Sequence, residues 1–217
     1  MKKFLATLFL LLSTHVFAEA SDQAPFQQGK DYDVTVQAIP TDNLAKIEVT
    51  ELFWYGCPHC YHMEPVISAW VKKLPADVYF KRVPGLPRPD WAPMAKAYYA
   101  LETLGVLEKL HMSLFDAIHK TRTLNPTDEA ATIAWITNQS GLDKAKVIEA
   151  FKSFSMNTKL NRAAQFFRAS GATGVPSIII DGKYITSSTM AGDNEKALKV
   201  ADFIIDNIRK TKAKKKL

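Results

Sequence analysis

Lys46 to Tyr55 reads as a central strand, with Ile47, Val49, Glu51 and Phe53 on one face and Glu48, Thr50, Leu52 and Trp54 on the other. Gly56-Cys57-Pro58 cuts it off, and Pro58 suits the first helical position, where a missing N–H leaves no bond unmade. The following helix is predicted to run to about Leu74. Cys60, Met63, Ile67 and Val71 form its apolar stripe, flanked by Val66 and Trp70, and Pro75 ends it. Val78 to Val83 is a second strand. A strand–helix–strand unit with such short connections favours parallel pairing, so the chain is constrained to an α/β architecture.

The remaining segments extend that frame. Tyr32-Asp33-Val34-Thr35-Val36 alternates like a short edge strand, ended by Ile39-Pro40. Pro84, Pro87, Pro89 and Pro93 mark a stiff loop, after which helices are predicted at Trp91–Leu104 and Leu107–His119. A third, capped by Thr127, runs to Gln139, and two more cover Asp143–Phe154 and Asn157–Ala169. Strand character returns at Ser177–Ile180. Asp181-Gly182 then signals a hairpin into Lys183-Tyr184-Ile185, and a last amphipathic helix spans Asn194 to Arg209. This order predicts one α/β domain, residues 21–86 and 171–210, interrupted by a helical domain at 87–170 and followed by a basic tail at 211–217.

The first twenty residues read as an export signal. Lys2-Lys3 precedes the apolar run Phe4–Leu12, and small residues offer cleavage after Ala18 or Ala20. Ser13, Thr14 and His15 stop the run well short of the ~20 apolar residues a membrane span needs. The expectation is therefore a soluble exported protein. The formal charge of +6 would suggest nucleic acid, but its distribution argues otherwise. Residues 21–206 hold 20 Lys+Arg against 21 Asp+Glu, and six basic residues from Arg209 to Lys216 supply the excess. With 47% apolar and 23% charged residues, intrinsic disorder is excluded as well.

The only two cysteines stand in Cys57-Pro58-His59-Cys60, at the strand-to-helix junction. Two intervening residues let both sulfurs meet across one helical turn, so a disulfide can open and close without rearranging the backbone. Cys57 falls at the helix N-terminus, where unpaired N–H groups and the helix dipole favour a thiolate. His59 can donate to that sulfur or add charge beside it. Cys60 lies on the apolar stripe and is expected to be buried. Cys57 is thus the exposed attacking sulfur and Cys60 the protected resolving one. A structural disulfide closing so small a loop would contribute only ~2 kcal/mol. A zinc site lacks four converging ligands, since His59 and His62 are the only nearby candidates. Redox chemistry is the reading that uses both sulfurs, and it requires no metal and no organic cofactor.

Phe53-Trp54-Tyr55-Gly56-Cys57-Pro58-His59-Cys60-Tyr61 resembles the active site of the DsbA family of periplasmic thiol:disulfide oxidoreductases. That family has a thioredoxin fold interrupted by a helical domain, and the resemblance extends from about Tyr32 to Arg209. It implies that Pro176, in Thr173-Gly174-Val175-Pro176, is a cis-proline packed against the dithiol. The backbone of Val175 would then be open to an extended substrate peptide. It also implies a role for Glu51, six residues before Cys57, as a buried acid relaying a proton to Cys60. A glutamate leaning out at the strand end is the alternative from sequence alone. Trp54, Tyr55 and His62 are expected at the rim, whereas His111 and His119 read as surface or packing residues. Lys81 and Arg82 are both candidates to pair with Glu51.

The implied activity is introduction of disulfides into reduced, unfolded exported proteins in the periplasm, by a monomer reoxidised by a DsbB-like quinone-linked membrane protein. A reductase or isomerase, and a peptide-binding chaperone, are the competing readings. Only about 25 residues separate the signal from the central strand, too few for a folded dimerisation unit, which weighs against an isomerase.

Overall fold

The computed structural model describes residues 24–214. The export signal and the last three residues of the basic tail lie outside the described residues. Five strands form one mixed sheet: β1 (Asp33–Val34), β2 (Ile47–Phe53), β3 (Val78–Pro84), β4 (Ser177–Ile180) and β5 (Tyr184–Ser187), in the order β1-β5-β4-β2-β3. β2 and β3 are parallel and joined by α1 (Pro58–Val71), as the strand–helix–strand pattern requires. β4 runs antiparallel to β2, and the hairpin to β5 turns through Asp181 (φ 51°) and Gly182 (φ 63°). Positive φ at both central residues is the turn that matches strand twist. At Gly182 a side chain would also collide, because a Cβ there would lie 1.9 Å from the Ile39 carbonyl oxygen.

Between β3 and β4 come five helices: α2 (Ala92–Thr103), α3 (Leu107–His119), α4 (Glu129–Ser140), α5 (Lys144–Lys152) and α6 (Phe154–Ser170). A short α7 (Ser188–Ala191) and the long α8 (Asn194–Lys214) complete the chain. Several boundaries differ from the sequence reading, among them α1, which ends at Val71 rather than Leu74. Asp128, not Thr127, caps α4, its carboxylate accepting from the Ala131 N–H at 2.9 Å. Ser153 adopts an extended conformation, so α5 ends earlier and α6 begins at Phe154. α8 does not stop at Arg209 but continues to Lys214, taking in part of the expected tail. Basic residues at a helix C-terminus complement its dipole, and Arg209 straps this turn to Asp77 through bonds of 2.7 and 2.8 Å.

β2 is buried along its whole length and joins three apolar clusters. Ile47 and Val49 pack with Met63 and Ile67 of α1 and with Leu198, Ala201, Ile204 and Ile208 of α8. Leu52, on the opposite face, meets Ile179, Ile185 and Phe167. Phe53 packs with Tyr55, both cysteines and the helical residues Leu101, Leu114 and Phe115. The helical insertion is therefore continuous with the core beneath the dithiol. Glu51, between Val49 and Phe53, lies where the first and third of these clusters meet.

Candidate active site

Cys57 is the N-cap of α1, with extended backbone angles, and Pro58 follows it at the first helical position. Both thiols are reduced and buried, but unequally: Cys57 keeps 9% of its surface exposed and Cys60 none. The attacking sulfur is thus far less open than the sequence suggested, because the cluster around Phe53 and Tyr55 closes over it. The Cys60 thiol donates to the Cys57 sulfur, and the backbone N–H groups of Cys60 and His59 point the same way. Together with a smaller contribution from the His59 charge, they overcome burial and hold Cys57 at about 6. Burial, chiefly, pushes the Cys60 thiol well above the ordinary value. In its thiol form Cys57 donates to the Val175 carbonyl at 3.4 Å, a bond the thiolate gives up.

The Val175–Pro176 peptide bond is cis. The Val175 carbonyl lies against the sulfur, and Gly174, Val175 and Pro176 line a groove together with Thr189 and Met190. Gly56 is required by space: a Cβ there would sit 2.3 Å from the Trp54 ring. That ring stacks on Trp91 with centroids 4.2 Å apart, which holds the expected rim residue against the start of the helical insertion.

Below the dithiol lies a buried polar chain. The β2–β3 register sets Glu51 opposite Arg82, which settles the choice between Arg82 and Lys81. Arg82 Nε donates to Glu51 Oε2 at 3.0 Å, and its Nη2 donates to Glu64 Oε1 at 2.7 Å. Lys81 points to the other face, toward Asp42 and Glu48. Burial pushes the Glu51 carboxyl up to about 7; Arg82 opposes that rise and Glu64 adds to it. The alternative of an outward-leaning Glu51 is wrong, since only 1% of the residue is exposed.

The sequence and fold are similar to those of known proteins. The model of the DSBA-like thioredoxin domain matches residues 80–201. The thiol:disulfide interchange protein DsbA of Burkholderia cepacia is 39% identical over 216 residues, covering 98% of this chain and 100% of that protein. DsbA of Pseudomonas aeruginosa is 36% identical, covering 96% and 98%. Its crystal structure superposes with a TM-score of 0.80 at 37% identity, over 87% of this chain and 97% of the other. The chain belongs to the DsbA family. It is a thiol:disulfide oxidoreductase of thioredoxin-like fold, and Cys57-Cys60 is its dithiol. The family match itself begins at Phe80, after the dithiol, so it rests on the helical insertion and the C-terminal strands. The likeness to the whole relatives spans the cysteines as well.

Within this DsbA-family site, several residues play parts the sequence did not reveal. Tyr55 is not at the rim; it is 1% exposed, and its hydroxyl meets His111 Nδ1 at 2.6 Å. His111 Nε2 reaches Glu64 Oε2 at 3.2 Å, and His119 Nε2 donates to the Tyr55 carbonyl at 2.7 Å. Neither histidine is an ordinary surface or packing residue: α3 grips Tyr55 by its side chain and its backbone. Glu64 was also missed. It lies in α1 where apolar stripe and polar face meet, and only its place four residues after Cys60 hinted that it turns inward.

Proposed function

We propose that this DsbA-family oxidoreductase runs in the oxidising direction, donating its disulfide to reduced, unfolded exported proteins in the periplasm. The observation that carries this reading is the inequality of the two sulfurs, with Cys57 held at about 6 and Cys60 pushed up. Stabilising a thiolate stabilises the reduced enzyme, and whatever stabilises the reduced enzyme makes the oxidised one a better disulfide donor. One unit of pKa corresponds to ~1.4 kcal/mol, or ~30 mV for a two-electron couple. At pH 7, only about one unit above the Cys57 midpoint, roughly that amount is available as an upper limit, reduced by solvent screening at the partly open sulfur.

In this reading a client thiolate attacks Cys57 Sγ of the oxidised enzyme, the Cys57–Cys60 bond breaks, and Cys60 leaves. A second client thiolate then attacks its own neighbour's sulfur, and Cys57 leaves as a stabilised thiolate. Glu51 supplies the proton that Cys60 takes up. An extended client lies along the Gly174–Pro176 groove and pairs with the Val175 backbone. His59 contributes charge beside Cys57. The enzyme works as a monomer without metal or organic cofactor, and a DsbB-like quinone-linked membrane protein reoxidises it. In support, no helix among the described residues is long and apolar enough to cross a membrane, and the relatives are named as thiol:disulfide interchange proteins.

Equilibrating the purified protein in glutathione buffers and quantifying the two redox forms gives the test. A potential clearly more oxidising than the glutathione couple is expected. One as reducing as a thioredoxin's would reverse the proposed direction of electron flow.

A further inference from the structure

Two buried carboxyls share one cation beneath the dithiol, and they are not equally served. Glu64 accepts from three donors: Arg82 Nη2 at 2.7 Å, Ser68 Oγ at 2.6 Å and the His111 ring at 3.2 Å. Glu51 accepts only from Arg82 Nε, on Oε2, while its Oε1 is buried with no hydrogen-bond partner among the described residues. Donors favour the ionised form of the group they serve, so the single negative charge belongs on Glu64. The bare Oε1 of Glu51 is then the position for a proton.

His111 has only one arrangement that satisfies this chain. The fully buried Tyr55 hydroxyl meets His111 Nδ1; with the hydroxyl as donor, Nδ1 is unprotonated and Nε2 carries the hydrogen. That hydrogen points at Glu64 Oε2. Protonating Nδ1 as well would strand the Tyr55 O–H without an acceptor in a dry site. His119, gripping the Tyr55 carbonyl, fixes the ring whose hydroxyl dictates the tautomer. The titratable or charged groups around Glu51 are Arg82 on β3, Glu64 and Cys60 on α1, Tyr98 on α2 and Tyr55 at the junction.

We propose that His111, carried by α3 of the helical insertion, is a positioning residue for proton transfer at Cys60: its donation to Glu64 fixes the anion there and leaves Glu51 as the carboxyl that holds and moves the proton. This rests on the reading of Glu51 as the proton donor. A client dithiol gives two electrons and two protons when it becomes a disulfide. As the Cys57–Cys60 bond breaks, Cys60 takes up one proton at the expense of Glu51, and Glu51 is recharged from the protons the client releases. Above the midpoint of Cys57 the second proton passes to solvent, since Cys57 remains a thiolate.

The test is the rate at which dithiothreitol reduces the oxidised enzyme between pH 5 and 9, corrected for the probe's own thiolate fraction. Wild type is expected to show an inflection near 7, from Glu51. His111→Phe removes the donor to Glu64, lets that carboxyl take up a proton, and shifts the inflection down by about one unit. At pH 7 that is a slowing of about fivefold, the fall in the protonated fraction of Glu51. His111→Gln keeps an N–H for Glu64 and is expected to stay near wild type. His111→Ala serves if the phenylalanine variant does not fold. Glu51→Gln should abolish the inflection. If it persists in Glu51→Gln, the reading of Glu51 fails. If Glu51→Gln removes it while the His111 variants leave it unmoved, only the role of His111 is overturned. An equal shift in Phe and Gln variants also overturns that role, since packing rather than donation would be responsible.

Discussion

Replacing Arg82 by Met removes the cation from the polar chain while keeping a side chain of similar reach. The Arg82 side chain is 16% exposed, and the side chains of its partners Glu51 and Glu64 are 1% and 5% exposed, so the cluster is nearly desolvated. Removing one partner from a buried charge cluster costs about 3–5 kcal/mol, because the charge left behind has no solvent. Two features place this case near 3. Glu64 keeps its bonds from Ser68 and His111, and Glu51, at about 7, is already half protonated at neutral pH. The loss should also depend on pH. Without Arg82, which opposes the rise, the Glu51 carboxyl is raised still further above its unfolded value in the folded state. A carboxyl raised by folding binds its proton more tightly when folded, so stability falls as pH climbs from the unfolded value, ~4.3, through the folded one. Urea unfolding of the reduced protein at pH 7 and pH 4.5, compared with wild type, measures both effects. The deficit is expected to be about 3 kcal/mol at pH 7 and less than half of that at pH 4.5. A variant within ~1 kcal/mol of wild type at pH 7 would refute the reasoning, because an exposed pair behaves that way and a desolvated one does not.

Other consequences follow from the same site. The Cys57 thiolate should titrate near 6 when followed by its absorbance at 240 nm, and Cys60→Ala, which deletes the leading donor, should move that midpoint upward. Because the Cys57 value is depressed on folding, the reduced form gains stability as pH rises above about 6 and loses it as pH falls through that value. The gap in urea midpoint between reduced and oxidised protein should therefore widen from pH 5 to 9; a constant gap contradicts the assignment. Gly56→Ala forces a Cβ into the Trp54 ring and should cost about 1–3 kcal/mol, with a change in indole fluorescence as the stack on Trp91 is displaced. Tyr55→Phe leaves His111 Nδ1 without a donor in a buried site, and a thermal or urea melt should register a loss of about 1–3 kcal/mol.

The chain's own pattern determined a great deal. Alternation in β2, the break at Gly56-Cys57-Pro58 and the stripe through Cys60, Met63 and Ile67 are local features, set by the periods of strand and helix, and they located the dithiol and its asymmetry. The hairpin at Asp181-Gly182 was legible for the same reason, since backbone conformation there is a property of two residues. Boundaries such as Thr127 against Asp128 were less so, because neighbouring residues can both cap and only the path of the chain chooses between them.

What only the tertiary structure decided lies beyond the reach of any local period. The partner of Glu51 depended on strand register, which a one-residue slip would have handed to the opposite face. Tyr55, Glu64, His111 and His119 each look ordinary in their own segments. They form a chain because the helical insertion folds back, closing bonds between residues 47, 56 and 64 positions apart. A histidine on a helix carries no mark of what will face it; its chemistry is set by whichever buried acceptor or donor the packing brings within 3 Å. Sequence therefore fixed which atoms exchange electrons, and the packing of α3 against the dithiol domain fixed which groups surround their proton.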